Sequence, residues 1–215
     1  MRVKVCGITR VEDAEVALDA GADAIGMVFH PSSPRRVSPA EARRISAMAR
    51  SRADCVGVLV DSSAGELEQL VESFGLSALQ LHLRSCPKEL VSQLSVPVWP
   101  FTGIGSEWVP ADLDWWPDLP LMLDSLLSDG AGGTGEVVDL ELARVIGQHR
   151  PVWLAGGLGP DNVAEAVRQV RPFGVDASSR LELRPGVKDP LLVEHYVTEA
   201  RRADSGLPAD NGRQF

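Results

Sequence analysis

Short apolar runs alternate along this chain with longer segments whose apolar residues recur at helical spacing, from the start to about residue 202. Val3–Cys6 is a β-rich run, and Val11–Ala20 has helical periodicity and stops at Gly21. Ala24–Phe29 reads as a buried strand. Ser38-Pro39 opens the next helix, which runs to about Arg50, with Ser as N-cap and Pro at the first helical position. The alternation continues with a strand at Cys55–Val60 and a helix at Ala64–Phe74, then a strand at Ala78–Leu81 and a helix at Pro87–Leu94. Val98–Phe101 predicts a strand. Gly103–Pro117 is irregular and reads as a loop with at most a short helix. Leu119–Leu123, Val152–Ala155 and Phe173–Asp176 predict the remaining strands. Asp139–Gln148, Pro160–Val170 and Pro190–Arg202 predict the remaining helices. Residues 203–215 are polar and aperiodic, which predicts a disordered tail.

Strands followed by helices throughout mean a parallel sheet with helices outside it. Eight such units in about 200 residues favour a closed (β/α)8 TIM barrel over the alternative, an open doubly wound sheet. No linker-like stretch divides the chain, so the expectation is one α/β domain over residues 1–202.

Composition narrows the function. With 44% hydrophobic residues the 215-residue chain can fill a core. Its formal net charge of −9 leaves no overall basic footprint for nucleic acid. A phosphorylated small molecule stays open as a partner, because local backbone N–H groups hold an anion even in an acidic protein. No run approaches the ~18 apolar residues of a membrane span, and the opening MRVKVCGITR lacks the apolar stretch of a signal peptide. Cys6, Cys55 and Cys86 are too few and too scattered for a disulfide framework, which points to a cytoplasmic protein. His30, His149 and His195 form no metal-ligand spacing with any Cys or Asp pair, so no metal is expected.

The costly polar residues fall just past the predicted strands. Cys6 ends the first. His30, Arg35 and Arg36 follow the second, and Asp61 the third. Gln80 and His82 end the fourth, Asp124 the sixth and Asp176 the eighth, with Ser178 and Ser179 beyond it. In a barrel these ends share one face, where active sites are built. Gly156 and Gly157, after the seventh strand, let backbone N–H groups approach an anion; with the Ser178-Ser179 pair they make the common phosphate site of such barrels. A second glycine-rich run, Gly130–Gly135, is either a lid over the mouth or a plain linker.

Cys6 in an apolar strand would usually be a small hydrophobe, and Asp124 after a buried run would often be a cap or an ion-pair partner. On one rim, a thiolate and a carboxylic acid make a proton-transfer pair, provided the thiol pKa moves down and the carboxyl pKa up. Arg35 on the same rim suits a bidentate hold on a carboxylate. Asp176 serves either the strand-eight backbone or the substrate.

Together these residues resemble a known family. Val3-Lys4-Val5-Cys6-Gly7-Ile8-Thr9, Pro31-Ser32-Ser33-Pro34-Arg35, Gln80-Leu81-His82, Leu123-Asp124 with Gly132–Gly135, Leu154-Ala155-Gly156-Gly157-Leu158 and Gly174-Val175-Asp176 with Ser178-Ser179 are similar, in order, to the motifs of phosphoribosylanthranilate isomerases of tryptophan synthesis. The resemblance implies an Amadori rearrangement of N-(5-phosphoribosyl)anthranilate without a cofactor. Asp124 would be the general acid and Cys6 the general base. Arg35 would hold the anthranilate carboxylate, and Gly156, Gly157 and Ser179 the phosphate; Gln80, Asp176 and Ser178 complete the candidate substrate-binding set. Assembly as a monomer or a homodimer is expected. Three positions depart from the pattern: Leu83 and Arg180 replace usual glycines, and the fifth strand lacks its usual lysine. Two rivals remain at this stage. One is the sister isomerase of histidine synthesis, which uses a carboxylate where Cys6 stands. The other is a barrel that binds a phosphorylated ligand without turning it over.

Overall fold

The computed structural model describes residues 1–60, 62–82, 87–105, 120–125 and 138–207. Eight parallel strands close a barrel in sequence order, β1 (Arg2–Val5), β2 (Ala24–Val28), β3 (Asp54–Leu59), β4 (Ala78–His82), β5 (Val98–Ile104), β6 (Leu121–Ser125), β7 (Val152–Leu154) and β8 (Gly174–Ala177), with β8 pairing back onto β1. Outside lie α1 (Val11–Asp19), α2 (Pro39–Ala49), α3 (Ala64–Phe74), α4 (Lys88–Val91), α5 (Leu140–Gly147), α6 (Val163–Val170) and α7 (Pro190–Ser205). After β8 the chain makes a single 3-10 turn, Ser179–Leu181, and a small antiparallel ribbon, β9 (Glu182–Arg184) and β10 (Val187–Lys188). The expected barrel is therefore the observed one, and the open sheet is excluded by the β1–β8 ladder.

Local chemistry explains the helix starts. Ser38 accepts from Glu41 N–H with Pro39 at the first turn, as its sequence predicts. Ser63 and Glu66 form a reciprocal capping box on α3. Asp189 accepts from Leu191 and Leu192 N–H at the head of α7.

Strand alternation sorts the core into two shells. Val3, Val5, Ile25, Met27, Leu79, Leu81, Leu121, Leu123, Leu154 and Val175 face outward and pack against helix residues such as Ala17, Ile45, Leu67, Ile146, Val167 and Val197. The opposite faces fill the lumen. At the N-terminal end Trp99 and Trp153 stack with ring centroids 5.0 Å apart, and the Arg2 guanidinium lies 5.6 Å and 5.9 Å from them. A side chain on Gly174 would collide with the Trp153 ring at 2.5 Å, so that glycine makes room for the indole.

Several boundaries differ from those read off the sequence. β5 runs on to Ile104, because Thr102, Gly103 and Ile104 pair in register with Leu123, Asp124 and Ser125; Gly103 is strand, not loop. The helix expected from Pro160 begins at Val163. Asn162 bends its amide back to Gly159 N–H (2.8 Å) and Gly157 O (2.9 Å), which holds the preceding residues as a turn. α7 passes the expected end at Arg202 and reaches Ser205, because Ala203 packs into the core. Leu83, Cys86, Asp61, Trp108, Trp115, Trp116, the Gly130–Gly135 run and residues 208–215 lie outside the described residues.

Candidate active site

All strands run the same way, so residues at their C-terminal ends meet at one rim. Cys6 directly follows β1, and Asp124 is the penultimate residue of β6. The two strands are separated around the barrel by β7 and β8. Beneath them sits a fully buried polar cluster. Lys4 points into the lumen, where Nζ donates to Gln80 Oε1 at 2.9 Å and to Asp176 Oδ2 at 3.0 Å. Both Cys6 and Asp124 feel this Lys4–Asp176 pair. Gly26 of β2 leaves the space for it: a Cβ there would lie 2.7 Å from Cys6 Sγ and 3.1 Å from Lys4 Nζ.

Burial pushes the Asp124 carboxyl above its ordinary range, and the neighbouring Asp176 adds to the rise; hydrogen bonds from Ser125 N–H (2.8 Å) and Oγ oppose it. That is the direction an acid requires. Burial also pushes the Cys6 thiol up, against the pull of Lys4 and Lys188. The downward shift expected for a base is therefore not found. Desolvation of a thiolate, invisible in a linear sequence, is the reason.

Two groups at this rim are orphaned. Asp176 Oδ1 and Ser178 Oγ are buried without a hydrogen-bond partner among the described residues. Buried polar atoms are ordinarily paired, which sets these two apart from the paired ions around them. Burial keeps Asp176 raised in spite of Lys4.

The loop after β7 carries Gly156 and Gly157, the residues expected to approach an anion. Gly156 and Gly157 both adopt positive φ, 81° and 62°, which a side chain disfavours. A Cβ on Gly156 would also meet Ser125 N at 2.5 Å and Asp124 Oδ1 at 2.7 Å, so this loop lies directly against Asp124. Gly157 O is held by Asn162 and by Arg180 Nη1 (3.1 Å), while Arg180 Nη2 grips Asp161 at 2.6 Å and 2.8 Å. Arg180 thus ties the loop after β7 to the turn after β8.

Arg35 is already paired within the chain. Its Nε lies 3.0 Å and 3.2 Å from the Glu182 oxygens and its Nη2 3.0 Å from Oε2, so its bidentate edge is already taken. Glu182 also accepts from Lys188 Nζ at 2.9 Å, and Lys188 reaches Ser178 O at 3.0 Å. The Nη1 edge of Arg35 is the one not spent on Glu182. Gln80 is brought into the lumen as a partner of Lys4, and His82 packs edge-on against Phe101 at 5.1 Å. Among the described residues, no group of three or more His, Cys, Asp or Glu has metal-binding geometry.

Sequence reasoning missed Lys4, Glu182 and Lys188 as parts of the site. Lys4 did carry a signal: a charged residue between Val3 and Val5 in a buried strand needs a counter-charge. Glu182 lies in a segment whose pattern predicts no element, and nothing nearby flags it.

A closed eight-stranded parallel barrel with Cys6, Asp124, Asp176 and Ser178 at the C-terminal ends of its strands defines a class, the TIM-barrel enzymes. Within that class the comparison with known proteins is specific. The chain belongs to the N-(5'-phosphoribosyl)anthranilate (PRA) isomerase family, whose model matches residues 3–199. A relative from Halorhodospira halophila, named N-(5'-phosphoribosyl)anthranilate isomerase, is 41% identical over 208 residues and is aligned over 94% of this chain and 98% of its own. The crystal structure of phosphoribosyl anthranilate isomerase from Thermotoga maritima superposes with a TM-score of 0.84 at 34% identity, covering 94% of this chain and 99% of that one. A phosphoribosyl anthranilate isomerase in complex with reduced 1-(o-carboxyphenylamino)-1-deoxyribulose 5-phosphate superposes with a TM-score of 0.80, also at 34% identity and with the same coverage.

Proposed function

We propose that this chain catalyses the isomerisation of N-(5-phosphoribosyl)anthranilate to 1-(2-carboxyphenylamino)-1-deoxyribulose 5-phosphate, an internal aldose–ketose redox step of tryptophan synthesis. The observation that carries the reading is the meeting of Cys6 and Asp124 at one rim over a shared buried ion pair. Asp124, raised by burial, keeps a proton to give to the furanose ring oxygen. Ring opening yields an iminium. Cys6, as thiolate, takes the proton from C2, and the resulting enamine becomes the ketone. The substrate nitrogen is the electron sink, so the chemistry needs no cofactor.

Binding follows the same rim. Gly156, Gly157 and Ser179 suit the phosphate, with Ser178 beside them. The Nη1 edge of Arg35 suits the anthranilate carboxylate, and Asp176 Oδ1 suits a sugar hydroxyl. In support, a family member at 34% identity binds the reduced form of the product. All these residues come from one barrel, so the reading holds for a monomer and for a homodimer. It also needs a reduced thiol at Cys6, which suits a cytoplasmic location; no helix among the described residues is long and apolar enough to cross a membrane.

The test is a steady-state assay of the purified protein with freshly generated phosphoribosylanthranilate and, separately, with the aminoaldose phosphate of histidine synthesis. Turnover of the first supports the reading. Turnover of the second alone, or ligand binding without turnover, overturns it.

A further inference from the structure

Lys4 is a lysine buried in the barrel lumen. Its side chain is fully buried among the lumen residues, and its long stem would pack there more cheaply without a charge. The fold nevertheless surrounds its ammonium with acceptors: Asp176 Oδ2 at 3.0 Å, from β8, and Gln80 Oε1 at 2.9 Å, from β4. Asp176 holds the ammonium protonated against the pull of burial. The third neighbour is Cys6, two residues along β1 on the same face. Gly26 opposite them is what lets sulfur and ammonium approach, since a Cβ there would crowd both.

We infer that Lys4 is a positioning residue for the proposed reaction, the fixed cation that stabilises the Cys6 thiolate from inside the barrel while Asp176 and Gln80 hold it in place. The inference rests on the reading of Cys6 as the base. When the thiol ionises, its proton leaves to solvent, the electron pair stays on sulfur, and Lys4 keeps its own protons. The thiolate then faces a permanent positive charge instead of an apolar wall. The remaining charged neighbours of Cys6 come from other elements. Asp176 on β8 opposes ionisation, and Lys188 on β10 favours it less than Lys4 does. Asp176 thus has a divided effect: it disfavours the thiolate directly and preserves the cation that favours it.

The readout is alkylation of Cys6 by iodoacetamide across pH, followed by mass of the Cys6 peptide so that Cys55 and Cys86 do not contribute. Lys4→Met is expected to slow Cys6 alkylation at neutral pH by about tenfold, because removing a contacting opposite charge disfavours the thiolate by that order. It should also move the acidic limb of kcat/KM to higher pH, which a packing defect would not do. Lys4→Met leaves Asp176 without its cation, so the neutral double variant Lys4→Met with Asp176→Asn serves where the single one does not fold. It should alkylate several-fold more slowly than wild type, since Lys4 outweighs Asp176 at the sulfur. A folded single variant that alkylates at the wild-type rate, or a double variant at or above it, overturns the inference. Failure of the Cys6 reading looks different: Cys6→Ala would then retain turnover, whatever the alkylation rates.

Discussion

The two ends of the barrel place their ion pairs in different surroundings: partly exposed at the N-terminal end, and largely buried for Lys4–Asp176 and Lys188–Glu182 at the C-terminal end. At the N-terminal end the ions are paired. Arg2 meets Asp54 at 2.6 Å, and Arg201 meets Asp23 at 2.7 Å; both pairs are partly exposed, and Asp23 also accepts from Val3 N–H. Arg2 additionally caps the stacked Trp99 and Trp153. At the C-terminal end the Cys6 thiol and the Asp124 and Asp176 carboxyls are raised by burial, Asp176 Oδ1 and Ser178 Oγ lack partners among the described residues, and Gly7, Gly156 and Gly157 take left-handed backbone. The first end holds the fold. The second keeps ionisable groups in surroundings that disfavour their charged forms, the arrangement the proposed reaction uses.

The largest effect that sharpens this contrast is at Asp124. Asp124→Asn should reduce turnover by about 10² to 10⁴, the usual contribution of general acid–base catalysis, and raise stability at neutral pH by about 1 kcal/mol, the scale of relieving a strained active-site group. The sign follows from linkage. The folded carboxyl titrates above its unfolded value near 3.8, so the native state binds the extra proton in that interval. Stability is full below the unfolded value and falls as pH rises through the folded one. The variant should flatten that fall in a pH series of thermal melts; an unchanged slope would contradict it.

A comparable effect of the opposite kind is expected at the other end. Trp153→Ala should cost about 3–5 kcal/mol of stability, because it empties the stacked plug beneath the site. Protein that remains folded should keep kcat within a few-fold, as read by denaturant titration beside kinetics. Gly156→Ala is intermediate. Forcing a side chain into a φ of 81° against Ser125 N should cost about 1–3 kcal/mol and raise KM, since the cradle must shift. The smallest effect is at Arg2. Arg2→Met should change stability by at most about 1 kcal/mol, less at high salt, because its ion pair is partly exposed.

Much of this was legible before any coordinates. Regular alternation of period-two and helical segments defined the barrel, and Ser38-Pro39 defined a helix start to the residue. Cys6, Asp124, Gly156 and Gly157 were legible because strand ends, where chemistry is built, can be located from local pattern. What was not legible depended on distant pairing. Lys4 finds Gln80 and Asp176 at separations of 76 and 172 residues, and Arg35 finds Glu182 at 147. No window of sequence contains those partners, so Arg35 read as an open carboxylate clamp. The raised Cys6 thiol was hidden likewise, because desolvation is a property of the closed lumen. The end of β5 escaped because Pro100 and Gly103 break the apolar pattern, while the ladder to β6 holds the backbone extended regardless.

The division between a holding end and a working end is tested most directly by measuring turnover and product binding together in Cys6→Ala and Asp124→Ala. Each variant should lose turnover by about a hundredfold or more, on the scale of acid–base catalysis, yet bind 1-(2-carboxyphenylamino)-1-deoxyribulose 5-phosphate about as tightly as wild type in calorimetry. Either variant turning over within about tenfold of wild type would contradict it.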